Sequence, residues 1–145
     1  MVFDLPTTRP FAERTIERFG LAGRIGFAAG DFIADPLPGP FDVAWLSHVL
    51  HGEGPQACAK ILANAAGALE PGGLLLVQEF ILDADRASPL FPALFSLNML
   101  LGTPQGQAYS EPELAQMMRE AGLVEVKRIP LDLPNGAGVM VGVKL

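Results

Sequence analysis

Phe41 to Glu53, FDVAWLSHVLHGE, and Leu69 to Leu82, LEPGGLLLVQEFIL, are the two stretches on which the fold turns. The first holds an apolar run between Pro40 and Gly52; Val43 to Leu46 offers water no polar face, so it reads as a buried strand. His51 stands just past its carboxyl end. Glu79 closes the second strand, Leu74 to Gln78, in the same way. In open α/β sheets the crevice beyond the carboxyl ends of the strands is where ligands bind, and consecutive strands are usually neighbours. The two stretches therefore predict a base and a carboxylate within reach of each other.

Working outward, the chain alternates strand and helix. Val2 to Leu5 reads as a strand. Pro10 suits the first turn of a helix capped by Thr8 or Arg9, with Phe11, Ile16 and Phe19 as its apolar stripe and Gly20 at its end. Arg24 to Ala29 reads as a second strand, left through Gly30, Asp31 and Phe32. Pro55 starts a helix with Cys58, Ile61, Leu62, Ala65 and Leu69 on one side, stopped by Glu70 to Gly73. A helix is expected over Leu90 to Leu101, and Ser110 with Glu113 has capping-box spacing ahead of another. Val124 to Ile129 and Val139 to Val143 read as two strands, joined antiparallel through Pro134, Asn135 and Gly136. The alternation predicts a mainly parallel sheet with helices on its faces.

Composition bounds the function. The 145 residues amount to one domain, 50% hydrophobic and 18% charged. That apolar excess predicts a partner chain or a further segment as cover. A net charge of −6 argues against nucleic acid and anionic lipid surfaces as partners. MVFDLPTTRP lacks the pattern of a signal peptide, and Leu90 to Leu101 is too short to span a bilayer. One cysteine, Cys58, permits no internal disulfide and no zinc cluster. These features predict a soluble, cytoplasmic protein. His48 lies three residues before His51; with no further ligand apparent it reads as structural, and no metal site is expected.

Four phrases occur in order: VFDLP at Val2 to Pro6, GDF at Gly30 to Phe32, LSHVLH at Leu46 to His51 and ALEPGGLLLVQE at Ala68 to Glu79. Together with MLLGTPQG and YSEPEL…EAGL between Asn98 and Leu123, they resemble the small-molecule O-methyltransferases that use S-adenosylmethionine, of the caffeic acid, hydroxyindole and polyketide type. The resemblance implies a Rossmann-like class I methyltransferase sheet, mostly parallel with an antiparallel carboxy-terminal hairpin, and residues 1–145 as one partial catalytic domain. It implies that Asp4 takes the ribose hydroxyls of the cofactor, that Asp31 and Phe32 read its adenine, and that Ser47 lies beside it. Asp4 also reads as a turn or helix-capping aspartate, and Asp31 with Phe32 as a turn followed by a core ring. His51 matches the general base that takes a proton from the acceptor hydroxyl, and Glu79 one of two glutamates that orient it; imidazole suits the task because its neutral form is abundant near neutrality. Met99 and Thr103 match positions that line the acceptor pocket, though they also read as core and turn residues.

The sequence departs from the family pattern in three places. Gly52 and Glu53 replace the usual aspartate and tryptophan after the histidine, and the second orienting glutamate falls on Ala108. The family's amino-terminal dimerisation domain, first strand and glycine-rich turn find no match in these residues. The missing strand lies between those of Asp4 and His51 in the family, which predicts two apolar edges facing a gap. A homodimer with exchanged elements would fill it; alternatively the chain is a truncated, inactive relative acting as an interaction subunit or needing a partner chain. The expected ligands are S-adenosylmethionine and a small hydroxylated acceptor.

Overall fold

A computed structural model describes all residues from Met1 to Leu145. Strand β1 (Val2–Asp4) leads through helix α1 (Arg9–Arg18) to β2 (Phe27–Ala29), and the two short strands pair in parallel, Val2 opposite Phe27. β2 is shorter than the sequence predicts. The N–H groups of Arg24 and Ile25 are spent on the carbonyl of Leu21, closing a turn where a strand would need them free. The predicted stripe on α1 also finds only partial cover: Ile16 is buried, whereas Phe11 and Phe19 remain exposed, because two three-residue strands present too little surface for a whole helix face.

β3 (Phe41–Ser47), α2 (Pro55–Gly67), β4 (Leu69–Phe80), α3 (Leu90–Gly102), α4 (Glu111–Glu120), β5 (Leu123–Arg128) and β6 (Ala137–Lys144) follow. Four of these strands form a second sheet in the order β3-β4-β6-β5, with β3 parallel to β4 and with β6 antiparallel to both β4 and β5. Both the parallel strands and the antiparallel hairpin are thus as the sequence predicts. β4, however, begins at Leu69, so that residue belongs to the strand and pairs with Phe41 in place of extending α2, though it still joins the core beside that helix, and Glu70 to Gly73 bulge without ending the strand. Glycine is required in this bulge. Gly72 has φ of +83°, and a Cβ at Gly73 would meet the carbonyl oxygens of Asp42 and Phe41 at 3.1 and 3.2 Å.

Alternation along β4 decides what is buried. Leu75, Val77 and Glu79 face α2 and α4, where Cys58, Ile61, Leu62, Leu114 and Met118 complete the core. Phe80 points to the other face and meets Phe91 and Phe95 of α3. The two sheets do not join. Between β1 and β3 lies a cleft of about 300 Å³ lined by Met1 and Phe3 on one side and Val43 to Leu46 on the other. Trp45 is 60% exposed there, the open apolar edge that the resemblance implied. No helix is long and apolar enough to cross a membrane.

Candidate active site

β3 ends at Ser47, and the N–H of His48 still donates to the carbonyl of Gln78 at 2.9 Å, carrying the ladder into the bend. The chain then tightens into a 3-10 turn, Leu50–Gly52, which holds His51 above the end of β4. Glu79, 2% exposed, sits beneath it because the period-2 alternation of β4 aims it at the core face. A buried carboxylate needs its oxygens occupied. Oε1 accepts the N–H groups of Leu50 at 2.8 Å and His51 at 3.4 Å, and Oε2 lies 2.8 Å from Nδ1 of His51. With Nδ1–H donated to Glu79, Nε2 of His51 carries the lone pair. That nitrogen has no partner within the chain and is not among its orphaned buried atoms, so it faces solvent.

The turn is also held from outside. The N–H of Gln107 donates to the carbonyl of His51 at 2.9 Å, a close approach allowed by Gly106, whose Cβ would fall 2.5 Å from that oxygen. Tyr109 donates its hydroxyl proton to the carbonyl of Glu53 at 2.6 Å, and the thiol of Cys58 lies 3.3 Å from the carbonyl of Leu50 and 3.4 Å from the Tyr109 oxygen. Burial pushes the Cys58 thiol up to about 11 and raises the Tyr109 phenol as well, so both stay neutral and act as hydrogen-bonding groups. Sequence reasoning missed this clamp: its members lie 51 and 56 residues apart, and no spacing marks such a contact. Ala108, where the second orienting glutamate falls, is buried and donates its N–H to Ser96 Oγ at 3.1 Å. Backbone and clamp, with a single glutamate, position the histidine.

The remaining candidates divide between the two sheets. Asp4 and Asp31 come together at the carboxyl edge of β1 and β2, where the N–H of Gly30 donates to the carbonyl of Asp4 at 3.0 Å. Asp4 Oδ1 accepts the N–H of Leu5 at 2.7 Å, and Asp31 Oδ1 accepts that of Ile33 at 2.8 Å, so each carboxylate spends one oxygen on its own turn. Phe32 packs against the main core and borders the cleft. Ser47 is exposed beside Gln78, its hydroxyl 3.5 Å from Oε1. Thr103 closes α3, donating to the carbonyl of Met99 at 2.9 Å and accepting the N–H of Gly106 at 2.7 Å, which ties it to the His51 turn. Met99 is half-buried on α3. Phe95 meets the His51 ring edge-on at 4.8 Å and Phe80 at the same distance, an aromatic wall next to the histidine.

The sequence profile of the O-methyltransferase domain matches residues 1–124. A 3-hydroxy-5-methyl-1-naphthoate 3-O-methyltransferase of Streptomyces sahachiroi is 41% identical over 143 residues, which are 99% of this chain and 41% of that protein. Human N-acetylserotonin methyltransferase, solved with S-adenosylmethionine, aligns with a TM-score of 0.85 and 32% identity over 99% of this chain and 39% of that one. An O-methyltransferase family 2 protein of Planctomyces limnophilus, solved with apigenin, gives 0.89 and 34% over 99% and 42%. The chain spans about two fifths of the length of the relatives it matches.

Proposed function

The chain belongs to the O-methyltransferase domain family, and from that premise we propose that it transfers a methyl group from S-adenosylmethionine to a hydroxyl of a small aromatic or polyketide-like molecule, with His51 as general base. Its fold is the Rossmann-like class I methyltransferase sheet. The observation that carries the proposal is the 2.8 Å contact of His51 Nδ1 with the buried Glu79 carboxylate, which leaves Nε2 free to accept a proton. Glu79 fixes the tautomer and stabilises the imidazolium as it forms. The acceptor's oxygen loses its proton to Nε2 while it attacks, and the edge-to-face aromatic cluster of Phe80 and Phe95 offers apolar contact to a phenolic ring beside that nitrogen.

The cofactor supplies a methyl group activated on a sulfonium. The groups at the edge of β1 and β2 suit its adenosine: Asp4 offers its second carboxylate oxygen as acceptor to the ribose hydroxyls, Asp31 an acceptor to the adenine amine, and Phe32 an apolar contact to the ring. Gly30 leaves room there, since a Cβ would fall 2.4 Å from the Phe3 ring. Ser47 at the end of β3 borders the cofactor in this proposal, and Met99 and Thr103 the acceptor. Similar proteins support this acceptor class, one a 3-hydroxy-5-methyl-1-naphthoate 3-O-methyltransferase and one solved with apigenin.

A second reading is favoured by the cleft between β1 and β3. Under it the chain is one partial domain that works only when another strand, from a partner chain or an exchanged copy, fills the gap. A single buried thiol suits a cytoplasmic setting, and the charge of −6 suits a small-molecule acceptor better than nucleic acid. The test separates the roles. With excess hydroxynaphthoate, His51→Ala is expected to lower kcat about 10²- to 10⁴-fold and to leave the affinity for S-adenosylhomocysteine unchanged, while Asp31→Ala weakens that affinity. Full turnover in His51→Ala would sink the general-base role.

A further inference from the structure

The chain has two histidines, and both converge on one carboxylate. His48 reaches it through an unusual backbone. Its φ of 55° is left-handed, a conformation uncommon for a residue with a Cβ, and it swings the ring back over the end of β4, where it lies against Phe80 with 4.6 Å between centroids. Nδ1 then stands 3.7 Å from Glu79 Oε2, the oxygen already bonded to Nδ1 of His51. It is buried with no hydrogen-bond partner, the one such side-chain atom in the protein. Nε2 on the opposite side of the ring is 3.4 Å from the amide nitrogen of Gln78. A strained backbone that delivers an unpaired buried nitrogen to a shared carboxylate is two costs at one point, and such costs concentrate where a ligand is met.

We propose that His48, His51 and Glu79 form a site for a divalent transition cation, best represented by Zn²⁺, bound through the two Nδ1 atoms and Oε2. One donor atom from each residue lies within 4.8 Å of the others. Two imidazoles and a carboxylate are a zinc donor set, and the tetrahedral ion spaces its ligands by roughly 3.3 Å. The 3.7 Å separation is near that value, and the 2.8 Å one opens by a small rotation of the His51 ring. The histidine side chains are 30% and 19% exposed, so an ion enters from solvent between them. The ion gives the orphaned nitrogen a partner and leaves the imidazoles neutral.

Binding has a consequence for the proton. A neutral imidazole coordinated through Nδ1 carries its hydrogen on Nε2. For His51 this moves the proton from the Glu79 side to the nitrogen that faces the acceptor, and the lone pair of the base disappears. The cation is therefore a switch that holds the site off. This consequence rests on His51 being the general base; the binding does not.

The purified chain is titrated with ZnCl₂ by calorimetry and with Co²⁺ in the visible, beside His48→Asn, chosen because asparagine tolerates the left-handed conformation, and His48→Gly as a second variant free of that strain. One Zn²⁺ per chain, tetrahedral Co²⁺ bands and at least a tenfold loss of affinity in either folded variant are expected. Absence of saturable uptake by the folded chain, or undiminished uptake by the variants, overturns the site. Where turnover is measured, Zn²⁺ is expected to inhibit the wild type and to spare His48→Asn. Equal inhibition of both overturns the switch, and uptake without any measurable turnover supports the site while telling against the catalytic reading.

Discussion

Glu79→Gln keeps the side chain's volume and replaces an acceptor with an amide. The amide N–H₂ facing His51 Nδ1 forces that nitrogen to accept, so the ring's proton moves to Nε2 and the base is lost. Turnover is expected to fall by about 10²- to 10⁴-fold with cofactor affinity retained, read in steady-state kinetics. Cys58 makes the opposite kind of prediction. With its thiol pushed up to about 11 by burial, on the order of one part in a thousand is thiolate at pH 8. A thiol reagent is expected to label it only after unfolding, and rapid labelling of the native chain would contradict the packing described for it. The His51 and Glu79 pair was legible in the sequence because both follow from strand ends and alternation. The place of His48 was not, because a left-handed turn at a histidine leaves no sequence signal and the third donor, Glu79, comes from another strand.

Among the elements, α4 is the one whose start is written out in sequence. Ser110 donates its N–H and its hydroxyl to Glu113 Oε2, each at 2.7 Å, and Arg86 binds the other carboxylate oxygen. Partial burial pushes the Glu113 carboxyl up, but the Ser110 hydrogen bonds and the Arg86 guanidinium outweigh it and hold the group below its ordinary value of 4.5. A carboxyl lowered on folding adds stability at pH above that ordinary value, and the contribution disappears as pH falls through the lower folded value. Glu113→Gln is expected to flatten this acid limb in melts between pH 5 and pH 3, and Glu113→Ala to cost about 1 kcal/mol through the lost cap. The helix over 90–102 and the antiparallel hairpin lie where the sequence places them, and the helix over 55–67 buries its expected apolar side up to Ala65, short of Leu69. β2 and β4 did not, since a turn's demand for the N–H groups of Arg24 and Ile25 and the bulge at Gly72 are local hydrogen-bond and φ effects that hydrophobic pattern does not encode.

The molecule as a whole exposes 8278 Å², against roughly 7,200 Å² for a folded monomer of this mass. The excess has an address. Val43 and Trp45 on the edge of β3 and Leu94, Leu97 and Leu101 on α3 are all more than half exposed. Composition had signalled uncovered apolar surface, and the fold shows two places where it lies. Strand edges of this kind invite pairing with another chain. Light scattering is therefore expected to report dimers or larger species, and Trp45→Lys to shift the distribution towards monomer; a monodisperse wild-type monomer with one cooperative melt would contradict that expectation. The central proposal is that the chain binds S-adenosylmethionine through Asp4 and Asp31 at one sheet edge, beside the His51 and Glu79 pair at the other that takes the proton of the acceptor. Calorimetric titration of the folded chain with S-adenosylhomocysteine tests it most directly. The account predicts saturable binding at one site per chain; a folded sample that takes up no ligand would contradict it.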